Sequence, residues 1–187
     1  MNGPATGPRP HMEGLPARHT EAELAALIGL LTAHRSRIRS VAVGHGRDGH
    51  SRAAAQAFTA AWQALGKDVL AVVDWPEDAA SWLRPARRLT AQTPDAWVLA
   101  GAPAGVAHLA RRLRRSTDWD LARTVGFASL GTPRLVELAG ADTVHGLRGA
   151  ARDGGTWELR RGWTTHYAPV ATADCQWSTW ARQRVPR

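Results

Sequence analysis

The sequence predicts a three-layer, doubly wound α/β fold on a mostly parallel sheet of about five strands. From Ser40 onward, short apolar runs alternate with helical patterns, and this alternation is typical of parallel strands joined by right-handed helical crossovers. The run Val69 to Val73 is continuously apolar, as expected of a strand that is covered on both faces. Hydrophobic residues make up 44% of the 187 residues, which is enough for one core.

The elements can be placed in order along the chain. Thr20 to Glu23 forms a capping box, which predicts a helix that ends near Arg35. A helix over residues 52–65 is stopped by Gly66, and Thr132-Pro133 begins a short helix that ends at Gly140. The predicted strands are 41–43, 69–73, 96–100, 124–128 and a weaker fifth at 143–147, and the predicted buried residues are Val41, Val43, Val98, Leu99 and Val125.

Composition divides the chain into three segments. Residues 1–19 are rich in Gly and Pro and are predicted to be disordered, without the apolar stretch of a secretory signal. Residues 20–150 form the α/β unit, and residues 151–187 form a Trp-rich tail that is expected to pack on it. No apolar run is long enough to span a bilayer. As written, the chain is therefore expected to stay in the cytoplasm without inserting into a membrane.

The formal net charge of +8 raises the question of a nucleic-acid partner. Lys67 is the only lysine, and abundant Arg, Ala, Gly and Pro suggest codon bias in a GC-rich genome. The basic residues are spread over several predicted helices, and the densest run, residues 111–115, is predicted to lie on a solvated helix face. The sequence therefore predicts no nucleic-acid partner. Cys175 is the only cysteine, which excludes an internal disulfide.

One glycine-rich turn leaves a second function open. Gly44 to Gly49 matches the Gly-x-Gly-x-x-Gly fingerprint directly after a strand, and Asp74 ends the next strand where a ribose-binding acid would lie. Asp74 lies 25 residues beyond Gly49, farther than usual, and the loop residues are bulky. The alternatives are a nucleotide-binding or NAD(P)-binding domain of the Rossmann type and a plain glycine-rich turn.

Catalytic and metal sites lack the patterns that they require. His45 and His50 are five residues apart on a turn, while His108 is predicted on a helix and His145 on a strand, each without partners at metal-ligand spacing. A Gly-x-Ser-x-Gly nucleophile elbow is missing from the sequence. The sequence therefore predicts neither a metal site nor an enzyme.

Several short motifs follow one another between Val41 and Gly149. They are Arg47-Asp48-Gly49 with His50-Ser51 after the first strand, Gly66 after the next helix, Ser81-Trp82, Pro94-Asp95 before the third strand, Gly126, Thr132-Pro133-Arg134-Leu135, Ala139-Gly140 and Gly146. In order and spacing this series resembles the second lobe of the leucine/isoleucine/valine-type substrate-binding receptors of ABC transporters, which have the type 1 periplasmic-binding-protein fold. His50 stands where the family has tyrosine, Ser51 where it has glycine, and Ser81 where it has an acid.

The resemblance implies a solute-binding module for an amino-acid-like or amide-like ligand, with no cofactor and no chemistry. No first lobe is visible before Glu21, and no return to it after Gly149. The chain is thus either a fragment of a longer receptor, which would be extracytoplasmic, or a truncated or degenerate stand-alone domain. The implied partners are a small-molecule ligand and either a missing first lobe or a membrane permease.

The expected ligand site lies at the carboxyl ends of the strands, because the loops that leave neighbouring parallel strands converge there. A zwitterion or a carboxylate would suit free helix amides and basic side chains. The predicted ligand-binding residues are His45, Arg47, His50 and Ser51 after strand one, Ala102 and Pro103 after strand three, and Ser129 after strand four. A third interpretation is a scaffold that binds partners through Trp157, Trp163, Trp177 and Trp180.

Overall fold

The structure, a computed structural model, describes residues 16–33, 37–161 and 163–169. In chain order its elements are α1 (Glu21–Thr32), β1 (Ser40–Gly46), α2 (Gly49–Ala64), β2 (Asp68–Trp75), α3 (Leu83–Thr90), β3 (Ala96–Ala100), α4 (Pro103–Ser116), β4 (Thr124–Gly126), α5 (Pro133–Ala139), α6 (Ala141–Val144), β5 (Arg148–Ala150), β6 (Thr156–Arg160) and β7 (Trp163–Tyr167). Single 3-10 turns cover Leu121–Arg123 and Ala128–Leu130. Within these ranges, no helix is long and apolar enough to cross a membrane.

The strands form one sheet in the order β2-β1-β3-β4-β5-β6-β7. The first five are parallel, and β6 and β7 add to the β5 edge as antiparallel strands. This arrangement confirms the predicted doubly wound fold. The five residues predicted to be buried in the sheet (Val41, Val43, Val98, Leu99 and Val125) each expose 1% or less of their surface.

The two faces of the sheet carry separate cores. Helices α1 and α2 cover one face, where Leu27, Phe58 and Trp62 pack against the inward side chains of β1 and β3. Helices α3, α4 and α5 cover the other, where Trp75 and Leu109 are among the residues fully buried. The fold is therefore three-layered, and both cores end at the loops that leave the carboxyl ends of the strands.

Local sequence signals set several boundaries where they were predicted. Thr20 Oγ1 accepts a hydrogen bond from Glu23 N at 3.0 Å and the Glu23 carboxylate accepts one from Thr20 N, which confirms the capping box. Gly66 follows α2 with a left-handed φ of +69°, which favours glycine. Helix α1 ends at Thr32, slightly before the predicted end at Arg35.

The fifth strand was predicted in the wrong place. Residues 143–147 form the end of α6 and a turn, and the strand that pairs with β4 is β5. Val144 and Leu147 point inward three residues apart, which is helical spacing, and Gly146 turns the chain with a φ of +91°. Strand β5 has the sequence Arg-Gly-Ala and lacks an apolar run. His145 consequently caps α6 and does not lie on a strand.

Part of the predicted Trp-rich tail belongs to the sheet. Trp157 on β6 is buried against Gly131 and Gly149, and its indole N–H donates to Ala150 O at 2.9 Å. Trp163 on β7 is 62% exposed. Trp177 and Trp180 lie outside the described residues, as do residues 1–15 of the predicted N-terminal segment.

Candidate functional site

A hollow of about 200 Å³ opens at the carboxyl ends of β3 and β4, on the side of α1 and α2. We call it the carboxyl-edge hollow. Its floor is formed by Ala100 and Gly101 at the end of β3 and by the chain that follows β4. Its walls are formed by His50, Ser51 and Ala54 of α2, Glu23 of α1, Thr132 before α5, Arg152 after β5, and residues 16, 17 and 19.

Three residues that line this hollow each have a polar side-chain atom that is buried without a hydrogen-bond partner among the described residues. These atoms are His19 Nδ1, Ser51 Oγ and Thr132 Oγ1. Ser51 exposes only 2% of its surface, and its backbone N–H donates to Asp48 Oδ1 at 2.8 Å, so its hydroxyl is held at the start of α2. Buried polar groups in folded proteins almost always have a partner. Three such residues around one hollow therefore indicate a place for a polar ligand or for water, which these side chains would reach by rotating towards it.

Glu23 places a carboxylate in the same wall. It is 2% exposed. Its Oε1 accepts a hydrogen bond from Ala128 N at 2.7 Å, and its Oε2 accepts one from Thr20 N at 3.4 Å. A carboxylate offers about four acceptor positions, so both oxygens retain capacity for a further donor. Glu23 thus completes the capping box of α1 and also holds the loop after β4 in place.

The segment that enters α1 forms the outer wall of the hollow. Arg152 Nη1 donates to Arg18 O at 2.8 Å, and Thr20 Oγ1 donates to Arg152 O at 2.6 Å. The His19 ring meets the edge of Phe127 with 6.4 Å between centroids. These contacts hold the segment across the ends of β4 and β5, and they bring a guanidinium to the rim of the hollow.

The predicted site residues divide into two groups. His50, Ser51 and Ser129 line the carboxyl-edge hollow, and Ser129 Oγ donates to Gly101 O at 2.9 Å. Ala102 and Pro103 do not line it, because they begin α4 on the opposite side of the sheet.

His45 and Arg47 also lie away from the hollow. The His45 side chain is held within β1, where Nδ1 lies 2.7 Å from Gly46 O, and His45 lines a separate hollow of about 210 Å³ beside α2 and Val72. Arg47 turns towards the end of β2, and its Nε donates to Asp74 Oδ2 at 2.5 Å. This guanidinium holds the pKa of Asp74 below its ordinary value.

Four polar residues of the hollow were not predicted as site residues: His19, Glu23, Thr132 and Arg152. Glu23 and Thr132 were recognised only as helix-start residues. The hydrogen bond between Glu23 and Ala128 spans 105 positions, which no local pattern reveals. Arg152 follows a strand whose position was predicted wrongly, so its place at the carboxyl edge was hidden as well.

The glycine fingerprint does not form a phosphate-binding loop. Gly44 and Gly46 lie inside β1, and a methyl group at Gly44 would lie 2.8 Å from the Trp75 ring. A methyl group at Gly46 would lie 2.9 Å from Glu77 Oε1 and 3.0 Å from Asp48 Oδ2. Partial burial, together with the Asp48 charge, raises the pKa of Glu77 above its ordinary value. A pyrophosphate at this turn would meet two carboxyl groups, which opposes the NAD(P) alternative.

The remaining histidines form no metal cluster in the part of the chain that the structure describes. His108 is exposed on α4 and stacks on Trp82, with 5.4 Å between ring centroids and 14° between planes. Its Nδ1 lies 3.0 Å from an Arg111 nitrogen. His145 is exposed at the end of α6.

Comparison with solved structures shows which fold this is. A protein described as a branched-chain amino acid ABC transporter from Rhodospirillum rubrum matches 69% of this chain with a TM-score of 0.58 and 24% identity, over 36% of its own length. A substrate-binding periplasmic protein from Ralstonia solanacearum matches 75% of this chain (TM-score 0.59, 18% identity, 39% of its length). A leucine-binding protein from Thermotoga maritima matches 68% (TM-score 0.56, 18% identity, 35% of its length).

The chain has the fold of one lobe of these binding proteins. It spans somewhat more than a third of the length of each of the three. No protein-family model matches the sequence, and no curated protein matches it. At these identities the likeness confirms the predicted fold, a single type 1 periplasmic-binding-protein lobe.

Proposed function

We propose that this protein is a solute-binding module that holds a small zwitterion, such as an amino acid, in the carboxyl-edge hollow. The observation that carries the proposal is the set of three buried polar atoms without partners, on His19, Ser51 and Thr132, around one hollow. In open parallel sheets, ligands bind outside the carboxyl ends of the strands. Satisfying these atoms on binding supplies affinity that an apolar hollow would lack.

The charges around the hollow suit both ends of a zwitterion. The Ser51 hydroxyl can donate a hydrogen bond to an anionic group, and Arg152 at the rim adds positive charge. The buried Glu23 carboxylate offers acceptors to an ammonium group. The hollow is smaller than the roughly 300–1,000 Å³ of most small-molecule sites. An amino acid is therefore a better match than a dinucleotide.

A single lobe provides only one wall of the site. Tight small-molecule sites bury about 70–90% of the ligand surface, and here the opposite wall is limited to the segment that enters α1. In the proposed function, a second lobe, contributed by a longer form of this chain or by a separate protein, closes over the hollow. The module would then act outside the cytoplasm and deliver solute to a membrane permease, as a binding protein without catalysis.

A titration followed by NMR would test the proposal on the chain as it is. We expect leucine and related amino acids to bind with a Kd on the order of 1 mM, which corresponds to about −4 kcal/mol. Amide shifts should concentrate at Ser51 and Ala128. Thr132→Val should weaken binding by about two- to tenfold, because one hydrogen bond contributes roughly 0.5–1.5 kcal/mol.

Thr59→Val is the matched control. Thr59 Oγ1 is also buried without a partner among the described residues, but it lies farther along α2 beside the small hollow at His45. This variant should leave the affinity unchanged. Equal weakening by both variants, or shifts that avoid the carboxyl-edge hollow, would show that the site is elsewhere. No shift with any amino acid or small carboxylate at tens of millimolar would contradict the proposal.

A further inference from the structure

Helices α3 and α4 carry seven arginines and no acidic residue. Arg111 is half-buried and the other six are exposed. Among the described residues, none of the seven forms an ion pair. We call this surface the arginine face, and it consists of Arg84, Arg87 and Arg88 of α3 with Arg111, Arg112, Arg114 and Arg115 of α4.

The opposite side of the sheet has a different charge. Helix α1 contains Glu21 and Glu23 and no basic residue. Helix α2 contains one arginine, Arg52, whose guanidinium donates to Arg47 O at 3.0 Å. In sequence the basic residues are spread over several helices, but the strand order places α3 and α4 side by side on one face. The positive charge of helices α1 to α4 is therefore concentrated on that face.

The two helices form a continuous surface. Trp82, directly before α3, stacks on His108 of α4, and Arg111 lies within hydrogen-bond distance of the same imidazole. At the other end of the helices, Arg87 lines a hollow of about 360 Å³ with Arg123. Thr90, Thr93, Ser116, Thr117 and the acidic Asp118 also line it. Arginine and hydroxyl side chains are the usual ligands of phosphate groups along a nucleic-acid backbone.

The chemistry of the arginine face favours one partner. Guanidinium groups bind phosphate oxygens in a two-pronged geometry that lysine cannot provide. The large exposed hydrophobic residues of the described chain, Leu65, Val72, Trp163 and Tyr167, lie on other elements. The arginine face thus offers no apolar side chain for insertion into a bilayer. Its aromatic rings, Trp82 and His108, are stacked on each other, so one face of each ring is not open to an unpaired base.

We propose that the arginine face binds the phosphate backbone of double-stranded nucleic acid without reading its sequence. This inference goes beyond solute binding and does not depend on it, because the arginine face and the carboxyl-edge hollow lie on opposite sides of the sheet. It also departs from the interpretation of the net charge from sequence, which predicted no nucleic-acid partner. The expected affinity is that of non-specific binding, a Kd of roughly 10⁻⁶–10⁻⁴ M at physiological salt.

Fluorescence anisotropy with a labelled DNA duplex of about two helical turns, between 50 and 200 mM salt, tests this proposal. In the variant Arg84→Gln/Arg87→Gln/Arg88→Gln we expect at least a tenfold loss of affinity at the lowest salt. The plot of log K against log salt should become less steep by about 2.7, since each lost phosphate contact contributes about 0.9 to the magnitude of its negative slope. The variant Arg112→Gln/Arg114→Gln/Arg115→Gln should behave in the same way.

The control removes equal charge elsewhere. Arg39, Arg148 and Arg161 are exposed and lie off the arginine face, and their triple glutamine variant should lose less than about threefold. Arginines outside the described residues are unchanged in every variant. Equal losses in the control and face variants, or no binding at 50 mM salt, would overturn the proposal. So would binding to phosphatidylserine vesicles together with failure to bind the duplex.

Discussion

The two ends of the parallel sheet use polar side chains differently. At the amino end, Asp95 Oδ2 accepts hydrogen bonds from Arg39 N, Ser40 N and Ser40 Oγ, each at 2.9 Å. At the carboxyl end, the hydroxyls of Ser51 and Thr132 are buried and have no partner within the described ranges. The Asp95 carboxylate therefore makes its hydrogen bonds within the fold, whereas the two hydroxyls at the other end of the sheet make none.

This difference separates structural polar groups from candidate binding groups. A buried group with its hydrogen bonds made stabilises the fold, whereas an unsatisfied one costs free energy unless something else binds it. The Trp119 indole nitrogen is an exception at the amino end, since it too is buried without a partner among the residues described. It does not line the hollow at Arg87 and Arg123, whereas the three residues at the carboxyl end line one hollow together.

Removing the satisfied carboxylate should have the largest effect. Asp95→Ala leaves the exposed Arg39 N and the half-buried Ser40 N and Ser40 Oγ without their acceptor, and we expect the free energy of unfolding to fall by about 1–3 kcal/mol. Denaturant unfolding at pH 7 measures this loss. Asp68→Ala is the control, because Asp68 begins the neighbouring strand β2 with an exposed side chain, and it should change stability by less than about 0.5 kcal/mol.

The Asp95 effect should also depend on pH. Its backbone donors, Arg39 N first, lower the pKa of the Asp95 carboxyl below its ordinary value of 3.8. A lowered pKa in the folded state means that the contribution is fully present above 3.8 and is lost as the pH falls through the folded value. Wild type and Asp95→Ala should therefore converge in stability at strongly acidic pH. A difference that stays constant down to pH 2 would show that packing, and not the ionised carboxylate, is responsible.

Removing an unsatisfied hydroxyl should have a smaller effect of opposite sign. Ser51→Ala takes away a buried hydroxyl without a partner and introduces a better helix former near the start of α2. We expect the ligand-free protein to gain about 1 kcal/mol in unfolding free energy, measured by the same denaturant titration. A loss of stability would mean that the hydroxyl has a structural partner, and the contrast between the two ends of the sheet would then fail.

The sequence predicted the parts of the fold that depend on local patterns. Strands β1 to β3 are apolar runs, and the starts of α1 and α5 have recognisable residues, Thr20 and Thr132-Pro133. Strand β5 was missed because its central residue, Gly149, has no side chain where the Trp157 ring packs. Because the Trp157 ring needs a glycine at this position, the strand lacks the run of apolar side chains by which strands are recognised in a sequence.

The candidate site was predictable only in part for a similar reason. The rule that loops converge at the carboxyl edge correctly brought His50, Ser51 and Ser129 to one hollow. It could not tell on which side of the sheet each loop side chain would lie, so Arg47 and Pro103 were grouped with them. Glu23 and Arg152 reach the hollow through contacts between distant parts of the chain. The arginine face likewise depends on strand order, which brings α3 beside α4.

The smallest effect is expected at Glu77, on the other side of the carboxyl edge from the hollow. This carboxyl packs against the start of α4, where Gly105 N donates to it, and near the Asp48 carboxylate. Partial burial is the main reason why the pKa of Glu77 lies above its ordinary value of 4.5, and the negative charge of Asp48 raises it further. A raised pKa means that the folded state favours the protonated form, which carries no charge.

Glu77→Gln should therefore stabilise the protein at neutral pH only. The contribution of the wild-type carboxyl is fully present below pH 4.5 and is lost as the pH rises through the folded pKa. Glutamine keeps an oxygen for Gly105 N and cannot ionise. We expect a gain of less than about 1 kcal/mol at pH 7, because the residue is partly exposed and screened by solvent, and no gain below pH 4.5.

Denaturant unfolding at both pH values measures this, with Asp78→Asn removing an adjacent exposed charge as control. An equal gain in both variants would mean that general charge and not the Asp48–Glu77 pair is responsible. The Glu77 side of the carboxyl edge would then respond to a change of charge as an ordinary protein surface does.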